Sequence, residues 1–141
     1  MMTEKYKILA SFIKDSSSET PDVETYFFVK DNISKYKLKI DIKTKHLKNN
    51  LLEIDITFTY EDKDPNEKKS FYEITYAIIV RINEEIKEKK VLEKIILCDI
   101  PKSVYPELEK SFLNLIHNSG HRDLKFEKKV DFEKLFNDRF N

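Results

Sequence analysis

Three consecutive stretches of this 141-residue chain alternate apolar and polar residues, and that alternation commits the chain to a sheet with one buried face. The first sets Leu38, Ile40, Ile42 and Thr44 against Lys37, Lys39, Asp41 and Lys43. The second sets Leu52, Ile54, Ile56, Phe58 and Tyr60 against Glu53, Asp55, Thr57 and Thr59. The third sets Tyr72, Ile74, Tyr76, Ile78, Val80 and Ile82 against Phe71, Glu73, Thr75, Ala77, Ile79 and Arg81. Successive side chains of a strand point to opposite faces, so each stretch has one face for a core and one for solvent. His46 to Asn50 is short enough for a hairpin loop, and Glu61 to Lys69, with Pro65 and Asn66, carries turn residues. The three strands therefore read as an antiparallel meander. A fourth strand is expected from about Tyr6 to Ile13, although its apolar residues fall in mixed phase.

The pattern then changes period. Ile86, Val91, Leu92, Ile95 and Ile96 fall near helical spacing between Glu84 and Leu97, and Pro101 and Pro106 are expected to interrupt that helix. Pro106 suits the first turn of a new helix, where its missing N–H costs nothing. From there Leu108, Phe112, Leu115 and Ile116 form an amphipathic stripe, closed by the chain's only glycine, Gly120, as a left-handed cap. A final helix is expected after Asp131, a good N-cap, burying Leu135, Phe136 and Phe140. Tyr26-Phe27-Phe28-Val29 is apolar on both faces and reads as a loop or short extended segment over the sheet. Strands first and helices after define an α+β class: a four-stranded antiparallel sheet with a long C-terminal helix and shorter helices on one face. One domain spanning residues 1–141 is expected, since no linker or repeat divides the chain.

Charge narrows the function classes. Basic and acidic residues number 26 each, and only three are Arg, which argues against a general nucleic-acid binder. Cys98 stands alone, so no internal disulfide forms, and its apolar surroundings suit a small buried hydrophobe better than a nucleophile. No run approaches the length of a membrane span, and Met1 to Lys5 leads into strand-like sequence without a signal-peptide core; a cytoplasmic location is expected. His117 and His121 are four apart but straddle Gly120, a poor start for a zinc site. Asp62, Asp64, Asn66 and Glu67 lack the central Gly and distal Glu of a calcium loop. One glycine hardly builds a phosphate loop. No enzyme activity, metal or cofactor is expected.

Four short motifs carry a resemblance. Lys14, Asp15, Ser17, Glu19 and Pro21 fit K-D-x-S-x-E-x-P, and Val130-Asp131-Phe132-Glu133-Lys134-Leu135-Phe136 fits V-[ND]-F-x-x-L-[FY]. Pro101-Lys102-Ser103-Val104-Tyr105-Pro106 looks like P-x-x-[LI]-F-P, and Gly120 follows the helix that it opens. In this order and spacing the chain resembles the SecB family of protein-export chaperones. In that family the first motif is a turn after the first strand. Ser16 and Ser18 stand where the family usually has apolar residues, and Glu109-Lys110 where an Arg is usual.

The resemblance implies binding without chemistry: a homotetramer, built as a dimer of dimers, that holds non-native polypeptides in apolar grooves without ATP and delivers precursors to the SecA translocation ATPase. It implies a SecA-type acidic patch at Asp15, Glu19 and Glu73 with Phe71 beside it. Ile40 and Ile42 would line the client groove, and Tyr72, Ile74 and Tyr76 would lie at the subunit interface. Seven Tyr and ten Phe in a highly charged chain fit a protein that must expose apolar area and stay soluble. Three other readings stand beside this one: a SecB-like chaperone dedicated to one client, such as the antitoxin of a toxin–antitoxin pair; a small-ligand binding or enzymatic α+β domain; and a structural oligomeric subunit.

Overall fold

The computed structural model describes residues 4–64 and 68–140; the side chain of Phe140 and the turn residues Pro65, Asn66 and Glu67 lie outside the described residues. Strand β1 (Tyr6–Glu19) precedes helix α1 (Val23–Asn32), a 3-10 turn (Ile33–Lys35), and strands β2 (Lys37–His46), β3 (Leu51–Glu61) and β4 (Phe71–Ile82). Helix α2 (Lys89–Lys94), a π turn (Ile95–Asp99) and helix α3 (Ile100–Asn118) follow end to end, and α4 (Phe132–Phe140) closes the chain. The strands form one antiparallel sheet in the order β1-β4-β3-β2, so the expected meander and the α+β class are what the fold shows. Between β2 and β3, Asn49 and Asn50 take positive φ values of 64° and 61°, which asparagine tolerates better than most residues.

Alternation does the work that the sequence assigns to it. Ile54, Ile56, Phe58, Tyr72, Ile74, Ile78 and Val80 are each at most 1% exposed on the inner face, under Ile95, Ile100, Leu108, Phe112 and Ile116 of the helical rod. Phe58 meets Phe112 edge-on at 5.8 Å between ring centres. Burying one such side chain contributes roughly 1.5–3 kcal/mol, so this face is the main source of stability.

Four expectations need correction. The first strand does not end near Ile13 but runs to Glu19, so the K-D-x-S-x-E-x-P motif is strand from Lys14 to Glu19, and only Thr20 and Pro21 leave it. Ser and Asp are weak strand formers, but pairing with β4 as far as Glu19↔Phe71 outweighs propensity. Register shifts at Leu9 and Lys14 explain the mixed phase: each inserts a residue, so Ile8, Ser11 and Ile13 pair on the inner face while Ala10 and Phe12 turn outward. Secondly, Tyr26 to Val29 lie in a helix, started by Asp22, whose side chain accepts from the Thr25 N–H at 2.7 Å. Thirdly, the prolines do not break the long helix. The π turn widens the backbone just before Pro101, and Pro106 is carried inside α3 because Val104, Leu108 and Phe112 around it are buried. Fourthly, α4 buries Phe132 and Phe136 but leaves Leu135 50% exposed.

Gly120 ends α3 in a Schellman turn: the His121 N–H reaches the Ile116 carbonyl at 3.3 Å and the Gly120 N–H the His117 carbonyl at 3.1 Å. Its φ of +105° disfavours any side chain, and an added Cβ would lie 2.5 Å from Cε1 of Tyr26. The Tyr26 hydroxyl donates to the Gly120 carbonyl at 2.9 Å, so this turn also pins α1. Gly120→Ala is expected to lower unfolding free energy by about 1–3 kcal/mol in urea titration; an unchanged midpoint would show that α1 is not pinned there.

Candidate functional site

The helical cover stops short of the β2 edge. Leu38, Ile40 and Ile42 point inward from β2 but are only half-buried, unlike their neighbours on β3. They form one wall of an open groove of about 300 Å³, whose other wall is Leu97 from the π turn and Phe132, Leu135, Phe136 and Arg139 from α4. Asp131 caps α4 by accepting from the Lys134 N–H at 3.0 Å, which fixes the direction of this second wall. Behind it Cys98 packs with Phe132 and Phe136; burial pushes its thiol pKa up, away from nucleophile chemistry.

The segment leading into α4 is anchored to α3. Tyr105 donates to Glu109, accepts from the Val130 N–H at 3.2 Å, and meets Phe132 edge-on at 5.7 Å. Lys129 pairs with the same Glu109 carboxylate at 2.5 Å, so an acid where the family usually has Arg is neutralised by a lysine twenty residues on. Desolvation, with the Glu109 hydrogen bond, pushes the Tyr105 hydroxyl up to about 12.

Leu38 also borders a larger hollow of about 890 Å³, enclosed by Ile33 and Tyr36, by Tyr60 of β3, and by the 120–128 segment. His121 is buried at its inner end, with ring centres 5.5 Å from Tyr26 and 6.0 Å from Tyr72. Its Nε2 and the Tyr72 hydroxyl have no hydrogen-bond partner among the described residues. His117 instead bonds the Leu124 carbonyl through Nε2 at 2.7 Å, so the two histidines do not converge. Among the described residues no group of three His, Cys, Asp or Glu side chains is placed to hold a metal.

The opposite, outer face of the sheet carries the sequence-derived acidic positions together. Glu19 pairs with Phe71, Ser17 with Glu73 and Asp15 with Thr75, so Asp15, Glu19, Phe71 and Glu73 share one face of the β1/β4 ribbon. Glu73 accepts from the Thr59 hydroxyl at 3.3 Å. Nearby Lys14 reaches across β4 to Glu53 at 2.5 Å and Asp55 at 2.9 Å on β3. The Lys14 ammonium holds Glu53 below its usual range, whereas desolvation leaves Asp55 raised. Tyr72 and Ile74 are at most 1% exposed and Tyr76 9%, covered by this chain's own core. Ser16 and Ser18 also face inward, and Ser18 bonds the Ser119 hydroxyl at 2.6 Å beyond the end of α3.

The resemblance named Ile40 and Ile42, which line this groove, and named none of the other residues along it. Leu97, Phe132, Leu135 and Phe136 read as ordinary helix-packing residues, and only the stop of the cover at β2 makes them a wall. No signal in the sequence pointed to the second hollow.

The geometry is thus a sheet roofed on one face by a long helix, with an apolar groove left open at its edge. A family model described as preprotein translocase subunit SecB matches residues 2–141. A putative protein-export protein SecB of Pelagibacter ubique (strain HTCC1062) is 53% identical over 140 residues, 99% of this chain and 100% of that relative. Among solved structures, a SecB-like chaperone of Mycobacterium tuberculosis, in complex with a peptide from an antitoxin, superposes with a TM-score of 0.60 at 10% identity, over 89% of this chain and 91% of the other. The chain belongs to the SecB family.

Burial holds the His121 pKa below its ordinary 6.5. The unfolded chain therefore takes up this proton more readily, and the stability tied to His121 is intact above 6.5 and falls as pH drops below it. Asp22 and Glu53, both shifted down, lose their contribution only in the more acidic carboxylate range. Urea midpoints measured from pH 7 to 5 should fall less steeply in His121→Phe than in the unsubstituted protein; parallel curves would mean that His121 titrates freely.

Proposed function

We propose that this chain is an ATP-independent holdase of the cytoplasm that keeps non-native polypeptides competent for translocation and delivers them to SecA. The observation that carries the reading is the open groove along the half-exposed row Leu38, Ile40 and Ile42, bordered on the α4 side by the exposed Leu135. Apolar area left in water costs roughly 25 cal/mol per Å², so a groove of this kind is retained where something fills it. An extended polypeptide fits, because affinity there depends on buried area rather than on a fixed sequence. The 53% identical relative described as a protein-export protein favours export over service to a single client.

Pairing with a second copy, the first step toward a dimer of dimers, is supported by the other sheet edge. Strand β1 is 14 residues long and pairs on one side only, with β4. Leu9, Phe12 and Ile13 on it are 41%, 48% and 49% exposed. A long apolar edge of this kind is a template for pairing with another strand, here β1 of a second copy. Tyr72, Ile74 and Tyr76 then back the interface from one strand inside it. The outer face with Asp15, Glu19, Glu73 and Phe71 is left free for SecA.

The oligomeric holdase should suppress aggregation of a diluted, denatured client without nucleotide, with light scattering reporting both activity and mass. A monomer without activity would contradict the reading. Ile42→Asp, at a half-buried position, should weaken client affinity about tenfold or more while the thermal midpoint changes little. Glu73→Lys should weaken SecA docking in a binding assay and leave client affinity unchanged. Equal loss of both would show that the two faces are wrongly assigned.

A further inference from the structure

The second half of β1 has no apolar residue to hold it in place. It reads Asp15-Ser16-Ser17-Ser18-Glu19, and all five are exposed, Ser16 and Ser18 included although they face inward. A strand keeps its register chiefly because one face must be buried; a strand polar on both faces slips easily, and a slip of one residue exchanges the two faces. Neither face of this segment resists such a slip by burial. Its far end is tied by two hydroxyl pairs, Ser18 to Ser119 at 2.6 Å and Thr20 to Ser70 at 2.7 Å. Its near end is tied by charge, at Lys14.

Lys14 is the residue inserted between the pairs Ile13↔Tyr76 and Asp15↔Thr75. Phe12 points outward, so in an unbroken strand Lys14, Ser16 and Ser18 would follow it and Asp15 and Glu19 would turn inward. The insertion reverses this and sets Asp15, Ser17 and Glu19 opposite Thr75, Glu73 and Phe71 on the outer face. The Lys14 side chain crosses β4 to lie 2.5 Å from Glu53 and 2.9 Å from Asp55 on β3. Ala77, paired with Phe12 on one side and Asp55 on the other, is small enough to leave that path open. Glu53 and Asp55 are only 14% and 22% exposed on one face, so these neighbouring carboxylates need a shared cation. An exposed ion pair is weak, but a lysine held by two half-buried carboxylates has little freedom to leave.

We infer that Lys14 is a positioning residue: its bridge to Glu53 and Asp55 fixes the bulge that places Asp15 and Glu19 on the same face as Glu73. This rests on the SecA-docking reading above and adds how the acidic face is held in register. Lys14 acts through the strand and makes no contact with the partner.

The test is the double variant Glu53→Gln, Asp55→Asn in the full chain, which keeps Lys14 and every acidic-patch residue. Amide exchange over Asp15–Glu19 should quicken about tenfold while β2, β3 and α3 exchange as before. SecA affinity should fall about tenfold, with client affinity and the urea midpoint close to those of the unsubstituted protein. The triple variant that adds Lys14→Met has no unpaired charge at the site and should still dock poorly. Unchanged exchange at Asp15–Glu19 would overturn the inference. So would recovered docking in the triple variant, which would reduce the bridge to charge neutralisation, or tighter docking in the double variant, which would mean that the freed Lys14 touches SecA. If the unsubstituted protein does not bind SecA, the docking reading falls, and exchange over Asp15–Glu19 still decides whether the bridge holds the register.

Discussion

One sheet face must be buried, and the way it is covered decides the rest of the molecule. β3 and β4 commit their even-numbered apolar residues to that face, and a single helical rod from Lys89 to Asn118 lies over them. The rod is long enough to roof the two central strands but not the edges. β1 and β2 pair with the sheet through their backbones while their side chains remain half or fully exposed. The core supplies stability, and the two edges are left uncovered.

Each edge is finished differently. At β2, Phe132 and Phe136 of α4 pack against Ile40 and Ile42, the Tyr105–Glu109–Lys129 anchor fixes the segment leading into α4, and an open groove of about 300 Å³ remains along the strand. At β1, the strand is long, bulged twice, and open on one side. The π turn at Ile95–Asp99 belongs to the same design: it lets the rod pass Pro101 without a break and turns Leu97 toward the groove while Cys98 goes into the core. High surface charge keeps such a molecule soluble despite its exposed apolar rows.

Much of the fold was legible, because alternation in β2, β3 and β4 is a local signal that burial then enforces. The second half of β1 was not, since Ser16, Ser17 and Ser18 favour turns and form strand only because β4 is there to pair with. Helix α1 was hidden for a related reason: Tyr26-Phe27-Phe28-Val29 shows no period, and of its residues only Thr25 and Val29 are buried. Prolines misled in α3, where packing outweighs their local cost. At the site, Ile40 and Ile42 could be named by resemblance, but Phe132, Leu135 and Phe136 face them only after the chain has crossed the sheet. The larger hollow was invisible, because Ile33 and Tyr36 lie about ninety positions from Leu124 and Phe126.

The central claim is that unfolded polypeptide lies in the groove between β2 and α4. Amide hydrogen exchange on the protein with and without a permanently unfolded client measures this directly. The account predicts added protection confined to Lys37–His46, the π turn and Phe132–Phe140, with the outer face of β1 and β4 unchanged. Protection centred on the outer face, or none along β2, would contradict it.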